Sequence, residues 1–110
     1  MRIYRIVVRG QFDGLDADTK QALRAARPEH DYLNATFTRD GMFVYDERLV
    51  AFNLRYETRV TDDDVDDDAV GEQALARAAE WLERSGYPHK RLTVTVTDMA
   101  TMWEDRPSRA

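Results

Sequence analysis

Apolar and polar positions alternate from the start of the chain. In RIYRIVVR (residues 2–9), Tyr4, Ile6 and Val8 share one face, and Ile3, Arg5, Val7 and Arg9 share the other. Period two with β-branched residues predicts a strand, closed by Gly10. The signal changes after Gly14-Leu15-Asp16. Asp16 as N-cap, Asp18 in the first turn and Pro28 beyond the end predict a short helix that stops at about Arg27. Its apolar stripe is thin: Leu15, Ala22, Leu23 and Ala26.

Three strand patterns follow the loop Pro28-Glu29-His30-Asp31: YLNATFT, MFVYD and LVAFNLRYETRV. A three-residue loop at Arg39-Asp40-Gly41 sets Phe37 opposite Phe43, with Gly41 in the left-handed position. A two-residue loop at Glu47-Arg48 sets Tyr45 opposite Val50 and Phe43 opposite Phe52. These registers send Leu33, Ala35, Phe37, Phe43, Tyr45, Val50, Phe52, Leu54 and Tyr56 to one face, a set that a one-residue slip would scatter. Leu49 falls on the other face.

The run DDDVDDD (residues 62–68) opens a second helix. Asp66 is the expected N-cap, Val65 and Val70 a hydrophobic staple, and Asp67 and Asp68 face the positive helix end. Val70, Ala74, Leu75, Ala78, Trp81 and Leu82 recur at helical spacing. Ser85-Gly86-Tyr87-Pro88 is a stop signal. The last strand is RLTVTVTD, with Leu92, Val94 and Val96 inward and Thr93, Thr95 and Thr97 outward. Met99, Met102 and Trp103 are expected to fold back as a cap. The order β-α-β-β-β-α-β, with two helices on one face of a mainly antiparallel sheet, is an α+β arrangement related to the ferredoxin-like group. We expect one α+β domain over residues 1–103 and a flexible tail at 104–110.

Composition narrows the classes. One hundred and ten residues suit one domain. No cysteine is present, so disulfides, thiolate metal sites and cysteine nucleophiles are excluded, and a reducing, cytoplasmic compartment is expected. No apolar run approaches the roughly 20 residues of a membrane span, and arginines at 2, 5 and 9 interrupt any signal-peptide stretch. The net charge of −5 becomes +1 once the six aspartates of residues 62–68 are set aside, so the body is close to neutral. That disfavours nucleic acid, whose nonspecific attraction requires many cationic contacts. So does the expected lack of aromatic rings, Tyr32 apart, on the bare face, where a sheet would stack bases.

Candidate chemistry lies first on that bare face. Arg5 and Arg9, like Arg55 and Arg59, are four apart on one strand side, about 13 Å by strand rise. With the hydroxyl of Thr95 they could hold a carboxylate or phosphate; the plainer alternative is that arginine stems cover the sheet. The inward phenols of Tyr4, Tyr45 and Tyr56, with Trp81, could line a pocket for a small organic ligand. Ile3, Val7, Val44, Leu49 and Ala51 could centre a homodimer contact. The leading expectation is therefore binding of a small organic, anionic metabolite, by a homodimer and with no cofactor. The alternative is a protein–protein interaction module using the open sheet face. A cofactor-free enzyme would need a titratable group in a closed pocket, for which His30, Asp31 and Tyr45 are the candidates. No metal site is expected: two distant histidines make no ligand motif, and the aspartate run lacks the glycine and glutamate of an EF-hand loop.

As a set, VRGQFDGL, FTRDG, VYD, FNLRY and TDM resemble a small actinobacterial family carried as a domain of unknown function, over residues 2 to 103. The resemblance implies a bacterial cytoplasmic origin and transfers no functional residue.

Overall fold

The computed structural model describes residues 2–26, 36–60 and 66–99. In β1 (Arg2–Phe12) the alternation appears directly as burial: Tyr4, Ile6 and Val8 are 0–1% exposed while Arg5 and Arg9 face solvent. The remaining elements are α1 (Ala17–Ala26), β2 (Met42–Tyr45), β3 (Ala51–Val60), α2 (Asp67–Ser85) and β4 (His89–Asp98). The strands form one antiparallel sheet ordered β2-β3-β1-β4. Leu23 of α1 and Val70, Ala74, Ala78 and Leu82 of α2 join one core with the inward residues of the strands. The fold is α+β.

Both helices start as their sequence dictates. Asp16 Oδ1 accepts from the Thr19 amide at 2.7 Å, and Asp66 Oδ1 from the Ala69 amide at 2.7 Å. Hydrogen bonds from Thr19 hold the Asp16 carboxyl below its usual range. Gly86 closes α2 in the left-handed conformation, φ 79°. The phenol of Tyr45 donates to the carbonyl of Leu23, one of the last four carbonyls of α1 and so without a partner inside the helix. This bond ties α1 to β2.

Aromatic rings fill the space under the helices. Phe12 lies 4.9 Å from Phe52, Phe43 5.1 Å from Tyr45, and Phe43 stacks on Tyr87 at 5.5 Å. Gly10 is needed beneath them: a Cβ there would come within 2.6 Å of Phe52 and 2.7 Å of Leu92. Trp81 packs on Phe43 at 4.9 Å yet remains 36% exposed, at the rim of the core.

The second hairpin departs from its expected register. Tyr45 pairs with Phe52 and Phe43 with Leu54, two residues on from expectation. Asp46 is the cause. Its Oδ1 accepts from the amides of Val50 (2.8 Å) and Ala51 (3.1 Å), so a loop of 46–50 replaces the two-residue turn. Leu49 takes φ 58° and is buried, and Val50 is 52% exposed, the reverse of the expected placement. A two-residue shift preserves side-chain parity, so Phe43, Tyr45, Phe52, Leu54 and Tyr56 still face the helices.

The first expected hairpin is also corrected. Thr38 bridges Tyr56 of β3 in parallel, accepting from the Glu57 amide at 2.8 Å, instead of leading an antiparallel pair with β2. Thr38 and β2 thus lie along the same edge of β3. Phe37 consequently sits on the bare face, with the Arg5 and Arg55 guanidinium carbons 5.1 and 5.7 Å from its ring centroid. Gly41 is left-handed as expected, φ 91°, and a Cβ there would lie 2.3 Å from the Tyr56 ring. The rest of the expected extra strand (residues 32–35), His30, Asp31, Val65, Met102, Trp103 and the tail at 104–110 lie outside the described residues.

Candidate functional site: a cationic cleft between β3 and α2

β3 is longer than its neighbour. β2 pairs only with Phe52–Arg55, so the far end of β3 runs past it. There the turn at 39–41 lies against the Tyr56 ring, and Arg77 reaches the same ring from α2, which packs over β4 and β1. The space left is a cleft of about 660 Å³ lined by Arg39, Glu57, Thr58, Arg59, Gln73 and Arg77. An adjoining recess of about 220 Å³ shares Thr58, Gln73 and Arg77 and is otherwise walled by Ile6, Tyr56, Val60, Val70 and Ala74. The result is a charged mouth over an apolar floor. Its size falls in the range of small-molecule sites.

Three guanidinium groups stand at the mouth. Arg77 does most of the positioning: it donates to the Arg39 carbonyl at 3.0 Å, approaches Asp40 Oδ1 at 3.6 Å, and lies 5.2 Å from the Tyr56 ring centroid. These contacts fasten the 39–41 turn to α2. Among the described residues, the Arg39 and Arg59 side chains make no ion pair. The one carboxylate among the described lining residues, Glu57, is committed to Arg5 at 3.3 Å. Burial raises the Tyr56 phenol above its ordinary value, opposed by the nearby charge of Arg77. The phenol therefore stays protonated at neutral pH and can act as a hydrogen-bond donor or acceptor.

The expected site residues do not form one site. Arg59 lines the cleft and Tyr56 the adjoining recess, from opposite faces of β3. Arg5 and Arg55 flank Phe37 on the bare face, where Arg5 also pairs with Glu57 and the Arg55 Nε donates to Asn53 at 3.1 Å. Arg9 donates to Thr95 Oγ1 at 3.1 Å, toward the opposite end of the sheet. Tyr45 is fully buried in the core and lines neither cavity. Sequence reasoning missed Arg39, Gln73 and Arg77. Gln73 and Arg77 carried a usable signal: they are four apart on α2, next to the apolar stripe of Val70, Ala74 and Ala78, where a polar pair reaches the margin of the sheet. Arg39 carried none, because its place depends on the unexpected bridge at Thr38.

Fold and cleft together define a small α+β protein with an arginine-lined, amphipathic hollow. A family model described as Family of unknown function (DUF6204) matches residues 1–110, and the chain belongs to that family. No curated protein and no solved structure matches the chain.

Proposed function

We propose that this protein binds a small organic anion in the cleft between β3 and α2. One observation carries the reading: among the described residues, Arg39, Arg59 and Arg77 line a hollow whose one lining carboxylate, Glu57, is paired with Arg5, beside an apolar recess. Guanidinium groups bind carboxylate or phosphate bidentately, and the recess accepts the ligand's apolar body beside Tyr56. Gln73 and Thr58 supply neutral donors and acceptors that fix orientation. Among the described residues no helix is long and apolar enough to cross a membrane. The cysteine-free chain supports a reducing, cytoplasmic setting, and the sequence resemblance supports an actinobacterial source. The order β2-β3-β1-β4 with one helix after β1 and one after β3 supports the ferredoxin-like relation.

A second reading, docking of a protein or a second copy on the bare face, is favoured by Ile3, Val7 and Ala51, which stay partly exposed, whereas Val44 and Leu49, expected beside them, are buried. The cleft reading is the stronger because it joins charge, volume and an apolar floor. A thermal-shift panel of aromatic and aliphatic carboxylates and phosphate monoesters tests it. At least one compound should raise the melting temperature of the protein and fail to do so with Arg77→Gln or Arg59→Gln. A panel without a hit, or one in which both variants keep every hit in full, refutes the cleft reading.

A further inference from the structure

At the other end of the sheet, on the bare face, three hydrogen-bond donors converge from three strands. Arg9 of β1 stands between its partners Asn53 on β3 and Thr93 on β4. Arg91 of β4 joins them through a bulge: the β1–β4 pairing shifts between Arg9 and Gln11, so Arg91 and Leu92 together oppose Gly10. Arg91 adopts φ 58°, a left-handed conformation that glycine takes without cost and arginine does not. These side chains line a shallow cradle of about 340 Å³ whose described lining holds no carboxylate.

Each donor is held by a neighbour. Thr95 accepts from Arg9 at 3.1 Å, Gln11 accepts from Arg91 at 3.4 Å, and the Asn53 carbonyl oxygen accepts from Arg55 at 3.1 Å. The last bond leaves the Asn53 amide nitrogen as a donor with no partner among the described residues, although Asn53 is only 8% exposed. Buried polar groups are nearly always paired, so an open donor beside two guanidinium groups that make no ion pair among the described residues points to an acceptor that comes from outside.

We propose that Arg9, Arg91 and Asn53 form a second binding site, separate from the cleft, for a tetrahedral oxyanion: a phosphate group. A planar carboxylate presents its lone pairs in one plane, whereas phosphate accepts from several directions at once, as donors on three strands require. Asn53 and Arg59 are six residues apart on β3, about 20 Å by strand rise, so one small ligand does not serve both sites.

The test uses inorganic phosphate and a simple phosphate monoester as probes, against chloride at matched ionic strength. Phosphate should raise the melting temperature beyond the chloride control and shift the side-chain amide resonances of Asn53. A larger effect from the monoester that persists in Arg77→Gln would mark the group as part of an organic molecule, and an equal effect in that variant as the free ion. Arg91→Gly relieves the strained φ, so this variant should fold at least as stably as the parent, yet bind phosphate roughly tenfold more weakly or worse. Arg9→Gln should weaken binding similarly, whereas Arg77→Gln, in the cleft, should leave the phosphate response intact. Loss of the response in Arg77→Gln but not in Arg91→Gly would return the phosphate to the cleft and overturn the second site. So would a phosphate effect no greater than that of chloride, or an Asn53 amide that does not move.

Discussion

The two faces of the sheet are built on different physics. Toward the helices, Tyr4, Ile6, Val8, Phe52, Leu54 and Tyr56 are at most 2% exposed, and the rings of Phe12, Phe43, Tyr45 and Phe52 touch one another. Away from them, apart from the buried Val44 and the ring of Phe37, the side-chain contacts are polar and pairwise: Arg5 with Glu57, Arg9 with Thr95, Arg91 with Gln11, Arg55 with Asn53. Burial is non-directional and cumulative, so the inner face supplies stability. Exposed charge pairs add little to stability but fix where guanidinium groups point, and that is the requirement of a binding surface.

The largest expected effect tests this contrast directly. Phe52 is 1% exposed and packs against Phe12, Phe43 and the Cα of Gly10. Phe52→Ala should cost about 3–5 kcal/mol by urea unfolding, from lost transfer energy and the cavity left behind. On the other face, Arg5→Gln removes the 3.3 Å ion pair with Glu57 and one cation over Phe37. Both partners of that pair are partly solvated, so the expected cost is about 1 kcal/mol or less. Equal costs for the two substitutions would break the division of labour between the faces.

The same contrast explains what was legible in the sequence. The inner face could be read because alternation and helical spacing are properties of burial, and burial parity survives a register error of two. That is why Phe43 and Tyr45 were placed correctly although their partners were not. The caps at Asp16 and Asp66 and the stop at Gly86 are local interactions, spanning a few residues, and were equally readable. Three features were not. The Asp46-stapled loop inverted Leu49 and Val50, because one side-chain oxygen outweighed the preference for a shorter turn. The parallel bridge at Thr38 carried Phe37 to the bare face and Arg39 to the cleft, and no local pattern encodes a pairing with a strand 18 residues on. The bulge at Arg91 sits in a stretch that alternates cleanly in sequence, and only the β1–β4 register shows the two-for-one count. Both cavities owe arginines to these non-local features, so the ligand surfaces were the least readable part of the chain.

Tyr56 belongs to both regimes and gives the subtlest test. Its ring is a core residue, 2% exposed, yet it also walls the recess beneath Arg77. Desolvation raises its phenol above 10.0 and the Arg77 charge pulls the other way. A group whose folded value is raised binds its proton more tightly when folded. The stability tied to Tyr56 is therefore complete below 10.0 and is lost as pH climbs from there through the folded value. Alkaline titration of the Tyr56 ring resonances should give a midpoint above 10.0, and Arg77→Gln should move it higher, since burial then acts unopposed. Compared with Tyr56→Phe, which cannot ionise, the parent should lose relative stability only on the alkaline side of 10.0. If Arg77→Gln instead lowers the midpoint, water reaches the phenol more readily than the guanidinium charge assists its ionisation. The recess would then be a wet extension of the cleft rather than an apolar floor, and the ligand it accepts would be polar throughout.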